Sequence, residues 1–231
     1  MKKFVGEVSH DRWLNAQYHE LATWKAEPVD GEDWNSWWAS AFDNYSFVRE
    51  QKIDSILEVG CGPYAKNLEL FVRSIGYTPS RIILEDPLLE QYIQMGKSIR
   101  RFVNKENVTL ISMQMENVNL PELKLEQVDV VLCNNVLDHV ESVSRCFEQM
   151  WNALKVGGIL VFGQDLADET DLENRDIKAF KEGCHPIMIN EAYMEPYLSR
   201  YELVYRKTHT RENSRNPDAN CGTLMFAGRK Q

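Results

Sequence analysis

The apolar positions of this chain change period along its length. Short runs, apolar or β-branched at most positions, stand at 53–59 (IDSILEV), 81–84 (RIIL), 107–112 (NVTLIS), 128–134 (VDVVLCN) and 157–164 (GGILVFGQ). Runs of that length and make-up read as short buried strands. Between them the pattern is helical, over 64–75, 88–103 and 141–154. The last of these carries Val143, Phe147, Met150, Trp151 and Leu154 on one face. Strands alternating with such helices predict an α/β domain whose mostly parallel sheet is covered on both faces. The rhythm stops near the end. YELVYRKTH (201–209) and GTLMFAGRK (222–230) are extended runs joined by the polar stretch TRENSRNPDAN, with no helix between them. Strands joined without a crossover are antiparallel. The expectation is a doubly wound, mostly parallel seven-stranded sheet with an antiparallel C-terminal hairpin.

Residues 1–50 follow a different pattern. Five of the six tryptophans precede the first strand: Trp13, Trp24, Trp34, Trp37 and Trp38, accompanied by Tyr18, Phe42, Tyr45 and Phe47. Two compatible readings follow. The aromatic faces pack on the sheet, or they form the underside of a helical cap that closes over a ligand. Pro28 and Gly31 in EPVDGEDW (27–34) predict a break between the cap's helices. The division expected is a cap at 1–50 and a ligand-binding domain at 51–231.

Composition narrows the class. A 43% hydrophobic chain of 231 residues can fill a sizeable core. The formal charge of −9 argues against a nucleic-acid footprint, which needs clustered positive charge. Lys97, Arg100 and Arg101 form the one small basic cluster, expected as a solvated helix face. Cys61, Cys133, Cys146, Cys184 and Cys221 contain no CxxC pair and are odd in number, which predicts reduced thiols in a cytoplasmic protein. No apolar run follows Lys2 and Lys3, so no secretory signal is expected. No segment has the length of a membrane span.

The chemistry concentrates in SILEVGCGPYAKNLEL (55–70). Glu58 precedes two glycines, Gly60 and Gly62, which permit a tight turn and close approach of backbone to a ligand. A strand-turn-helix here suits a nucleotide-type cofactor at the carboxyl end of the first strand. The spacing through Ala65 also satisfies G-x-G-x-x-G/A, a weak pattern that dinucleotide enzymes share.

The ordered set of segments resembles the class I S-adenosylmethionine-dependent methyltransferases over roughly residues 53–230. LEVGCGP resembles their first motif and ILEDPLL the acidic end of their second strand. VDVVLCNNVLDHV and ALKVGGILVFG resemble their fourth- and fifth-strand blocks, and the terminal hairpin is a hallmark of the family. The resemblance implies S-adenosylmethionine as cofactor and assigns roles. Glu58 would act on the methionine ammonium, directly or through water, and hold the loop. Gly60, Cys61 and Gly62 would bring backbone against the methionine and ribose. Asp86, followed by Pro87, would accept from the ribose hydroxyls, with Glu85 as the fallback one residue away. Many relatives place an aspartate after the third strand to receive the adenine amino group. Gln114 stands there instead, followed by Met115 and Glu116. A glutamine carbonyl accepts the same bond, and Met115 offers an N–H and an apolar face. Cys133 and Asn134 would line the methionine side, although Cys133 also reads as a small buried apolar residue.

Methyl transfer is an in-line displacement that requires an oriented acceptor and, for a hydroxyl, help in removing a proton. His185 in CHPIMI is the expected base, fixed in an extended backbone by Pro186. His139 reads more as structural, and Tyr18 and His19 could reach the acceptor from the cap. The histidines are scattered singly along the chain and no metal site is expected. No Asn-Pro-Pro-Tyr tetrad for planar amino groups is present. The expected acceptor is a sugar, amino acid or natural-product intermediate methylated on O or N, by a monomer or homodimer with neither nucleic-acid nor membrane partners. The alternatives are a catalytically silent binding protein of the same fold and a NAD(P)-dependent oxidoreductase. The latter lacks a Tyr-x-x-x-Lys or comparable hydride site.

Overall fold

The computed structural model describes residues 6–26, 35–42, 45, 48, 50–173 and 183–231. Each predicted extended run forms a strand: β1 (Ser55–Val59), β2 (Arg81–Glu85), β3 (Val108–Ile111), β4 (Val128–Asn134), β5 (Leu154–Leu166), β6 (Glu202–Thr210) and β7 (Gly222–Arg229). They make one sheet in the order β3-β2-β1-β4-β5-β7-β6. The first five pair in parallel, and β7 runs antiparallel between β5 and β6. β5 starts at Leu154, before the Gly157–Gly158 pair expected to introduce it, with a register shift opposite Val128–Val130.

The described helices are α1 (His10–Ala26), α2 (Asn35–Phe42), α3 (Lys66–Ile75), α4 (Leu89–Gln94), α5 (Val143–Ala153), α6 (Glu169–Glu173) and α7 (Glu191–Leu198). Successive strand residues face opposite sides of a sheet, so one sheet serves two cores. Ile56, Val130, Leu132 and Val161 pack with Phe42, Phe71 and Leu89 from α2, α3 and α4. Leu57, Val59, Val131 and Leu160 pack with Phe147 and Met150 of α5 and Leu198 of α7.

The long helix expected over 88–103 is interrupted. α4 stops at Gln94 and a 3₁₀ turn occupies Ser98–Phe102. Gly96 between them adopts φ +74°, a left-handed conformation in which glycine carries no Cβ penalty. The basic cluster is therefore a solvated face only in part, with Arg100 and Arg101 exposed. Lys97 is buried, while Arg101 pairs with Glu69 and donates to the Tyr64 carbonyl at 3.0 Å.

The amino-terminal residues divide by location. Trp38, Phe42, Tyr45 and Val48 are fully buried in the α3-side core, and the Tyr45 hydroxyl donates to the Phe162 carbonyl at 2.9 Å. α1 instead lies across the carboxyl ends of β1 and β4. Trp34, Phe47 and the break expected at 27–34 with Pro28 and Gly31 lie outside the described residues.

Candidate active site

A cavity partly open to solvent sits where the strand order reverses, at the carboxyl ends of β1, β2 and β4. Open α/β sheets bind ligands at this switch point, because the chain leaves neighbouring strands in opposite directions there. Pairing aligns the strand ends, since Val59 lies opposite both Glu85 and Cys133.

The glycine loop is held by the acids of the second strand. The Gly60 N–H donates to Glu85 Oε2 at 3.2 Å, and the Cys61 N–H donates to the Glu85 carbonyl at 2.9 Å. Asp86 accepts from the Gly62 N–H at 3.0 Å with one oxygen and from the Leu88 N–H at 2.8 Å with the other. Gly60 has φ +61°, and a Cβ there would stand 2.6 Å from Val136 Cγ2. Both the conformation and the space require glycine. Burial pushes Asp86 up to about 6, against the two backbone N–H groups that favour its charge. Burial and the neighbouring Asp86 raise Glu85 well above the usual carboxylate range, and its Oε1 has no hydrogen-bond partner.

The expected cofactor residues separate into those on the cavity wall and those behind it. Gly60, Cys61, Gly62, Asp86, Pro87, Gln114, Met115, Glu116 and Asn134 line the cavity, and so does Glu85. Glu58 and Cys133 do not. Glu58 is fully buried on the α3 side of β1. Burial raises its carboxyl strongly, opposed by the Leu68 and Asn67 N–H groups at the start of α3, although neither oxygen reaches a partner at hydrogen-bond geometry. Cys133 is also fully buried and faces the α5 core, in keeping with its apolar reading. Two lining residues are already engaged. Gln114 donates to Glu141 and accepts from Asn117, and Glu116 Oε1 accepts the Glu141 and Ser142 N–H groups at 2.7 and 3.1 Å. The latter pair fixes the entry into α5.

Helix α1 covers the cavity with Trp13, Gln17, Glu20 and Trp24. Their spacing of four, three and four residues puts them on one helical face. Tyr18 and His19 fall on the other side, where Tyr18 is 71% exposed, so neither lines the cavity. Trp13 Nε1 and Gln17 Nε2 donate to the His139 carbonyl at 3.1 and 3.3 Å, which ties α1 to the end of β4. Trp13 and Trp24 are among the aromatics expected on the underside of the cap, and helical spacing adds Gln17 and Glu20 to that face.

The histidines are not scattered in space. His139 lines the cavity and His185 packs against it, with ring centroids 4.3 Å apart. Asp138 joins them: its Oδ2 lies 2.7 Å from His185 Nδ1, and its Oδ1 accepts from Gln164 Nε2 at 3.0 Å. Burial alone would raise Asp138, but the two imidazoles and these hydrogen bonds hold it well below the usual range. Burial lowers His139, yet Asp138, Glu20 and Asp86 outweigh that and leave it raised. The expected order of importance is thus reversed in position. His139 faces the cavity, whereas His185 stands behind it and is not among the lining residues.

Residues 57–162 match the sequence model of a methyltransferase domain. The chain carries a class I, S-adenosylmethionine-dependent methyltransferase domain. Solved structures agree in fold. The N-methyltransferase NodS from Bradyrhizobium japonicum WM9 superposes with a TM-score of 0.61 at 16% identity, covering 87% of this chain and 98% of NodS. The plantazolicin methyltransferase BpumL in complex with SAH gives 0.62 at 14%, covering 96% of each chain. The magnesium protoporphyrin IX methyltransferase ChlM from Synechocystis PCC 6803, with bound SAH, gives 0.60 at 11%, covering 95% and 97%. No curated protein matches the chain in sequence. The methyltransferase's cavity suits its cofactor chemically. A sulfonium and an ammonium favour an acidic wall, and the unpartnered Glu85 oxygen and the strained glycine turn provide acceptors and close backbone approach. Among the described residues, no helix is long and apolar enough to cross a membrane.

Proposed function

We propose that this methyltransferase transfers the methyl group to an oxygen or nitrogen of a small metabolite, such as a sugar, an amino acid or a natural-product intermediate. The observation that carries this reading is the position of His139, at the cavity wall beneath α1 with Asp138 and His185 behind it. The bound cofactor supplies a methyl group activated by attachment to a sulfonium. Asp86 and Glu85 would hold its ribose, the Gly60–Gly62 backbone its methionine portion, and the segment at Gln114–Met115 its adenine. Glu58 would act at longer range, by supporting the loop. Trp13, Trp24 and Glu20 of α1 would exclude water and orient the acceptor against the Asp138–His139–His185 cluster, which takes over the role first expected of His185 alone. The lid is confined in this reading to α1, because α2 and Tyr45 belong to the core.

The charge of −9 supports a small acceptor over a nucleic acid, and the reading is of a cytoplasmic monomer or homodimer. BpumL and ChlM carry names that denote plantazolicin and magnesium protoporphyrin IX as acceptors, and BpumL has also been solved with a triazolic desmethylPZN analog. The test is incubation with cofactor labelled in the methyl group and a pooled metabolite extract, followed by mass spectrometry. Label in one small product is expected. Label confined to protein or nucleic acid would refute the acceptor class.

A further inference from the structure

The geometry points to a divalent transition-metal site formed by Asp138, His139 and His185 at the wall of the cofactor cavity, with zinc preferred to magnesium. One ligand atom from each residue lies within 4.8 Å of the other two. Asp138 Oδ2 is 2.7 Å from His185 Nδ1, and Asp138 Oδ1 is 3.9 Å from His139 Nε2. A tetrahedral zinc with ligands at about 2.0–2.2 Å holds them about 3.3 Å apart, so the carboxylate, which meets one imidazole with each oxygen, and the two rings need only small side-chain shifts to close on a cation. The proton shared across the 2.7 Å contact is the one a cation would displace, as metal binding releases protons from its ligands.

The surroundings match those of a metal ligand set. Ligating imidazoles usually present their far nitrogen to a carboxylate, and ligating carboxylates are themselves hydrogen-bonded. Here His139 Nδ1 is buried without a hydrogen bond and faces Glu20 Oε2 at 3.8 Å, while Gln164 Nε2 holds Asp138. Two imidazoles and one carboxylate favour zinc, manganese or iron over magnesium and calcium. Three protein ligands leave a position free, as catalytic zinc sites do, and His139 is the one of the three that lines the cavity. The other such grouping among the described residues, Asp168, Asp171 and Cys221, already holds the Arg211 guanidinium at 2.8 Å from Asp171 and has no need of a cation.

The role of the cation rests on the proposed methylation of a small acceptor; the site itself does not. An acceptor hydroxyl at the free position would give its proton to solvent. Its lone pair would form the bond to the methyl carbon as the carbon–sulfur bond breaks, with that electron pair remaining on sulfur.

The experiment uses the full chain, stripped with a chelator and titrated with Zn²⁺ alone by calorimetry and with Co²⁺ alone by absorption spectroscopy. One equivalent should bind, with a tetrahedral Co²⁺ visible band. His185→Ala and Asp138→Asn should weaken binding at least tenfold, of the order of a lost ligand contact. S-adenosylhomocysteine binding, measured on the same samples, reports the cofactor site and the folding of each variant. If it binds while wild-type protein takes no Zn²⁺ and gives no Co²⁺ band, the metal inference is overturned and methylation stands. If metal binds and S-adenosylhomocysteine does not, the reading of the cavity fails instead. Metal affinity unchanged in folded variants would place the cation elsewhere and overturn the site. If a variant does not fold, the wild-type Co²⁺ band decides.

Discussion

Asp86→Asn should gain stability relative to wild type as pH rises to neutrality, while impairing the cofactor site. The side chain is buried, and its pKa is raised from 3.8 to about 6 by that burial. Below the unfolded value both states are protonated. Between that value and about 6 the unfolded chain ionises while the folded one does not, so the unfolded state binds fewer protons and stability falls as pH rises. Above about 6 the loss is complete, and two pKa units correspond to about 3 kcal/mol. An asparagine does not titrate, and the acceptor it loses to one of the two backbone N–H groups costs the same at every pH. The stability of Asp86→Asn relative to wild type should therefore rise by about 2–3 kcal/mol between pH 4 and pH 7.5. Glu58 and Glu85 are raised in the same direction, in part by the Asp86 charge, so its removal eases both and widens the difference in the same sense. Urea denaturation of both apo-proteins across that range measures it. At pH 7.5 S-adenosylhomocysteine should bind the variant at least tenfold more weakly, because charge-assisted hydrogen bonds of about 1.5–3 kcal/mol are lost. Parallel stability profiles, or a gap that narrows with pH, would refute the claim that Asp86 carries a buried charge in the folded apo-protein.

Gly60→Ala combines a left-handed backbone with a Cβ placed 2.6 Å from Val136, and should cost about 2–4 kcal/mol of stability. Gly62→Ala has the strain without the clash and should cost about 1 kcal/mol; equal losses in urea denaturation would contradict the packing drawn here. Glu116→Ala removes the acceptor of two N–H groups at the start of α5, so it should lose about 3 kcal/mol or more in thermal unfolding. In folded protein it should change S-adenosylhomocysteine affinity less than fivefold by calorimetry. S-adenosylhomocysteine should slow amide exchange across α1, residues 10–26, since Trp13, Gln17, Glu20 and Trp24 face the cavity; exchange unchanged by ligand would make α1 a fixed wall.

The strands were legible because burial on both faces leaves continuous apolar runs, and Glu58, Gly60 and Gly62 punctuate the first of them. The helix over 88–103 was misjudged because apolar spacing continues through Gly96, and only the left-handed backbone there shows where the helix ends. The ligand-facing side of α1 was visible as a period but lacked reactive residue types apart from Glu20. The Asp138–His139–His185 grouping was not legible at all. It depends on how the segment before α7 returns across the end of β4, a tertiary fact that no local pattern encodes. Glu58 and Cys133 stand behind the cavity wall for a related reason. Adjacent strand positions point to opposite faces, and a motif gives the position without the direction.

The placement of β7 bears on how the protein is made. In space it lies between β5 and β6, but in the chain it follows both. While a ribosome is still adding residues 202–221, β5 presents an open edge and β6 has no neighbour to pair with. The sheet on this side can close only after residues 222–229 have emerged, by insertion of a late strand into a waiting gap. Exposed edges of this kind attract other chains, so the interval before insertion is when the nascent protein is most prone to aggregate. A chaperone that shields the β5 edge would act in that interval. Slow codons placed before residue 222 would lengthen the exposure, and the yield of soluble protein would register the change without any alteration of the amino-acid sequence.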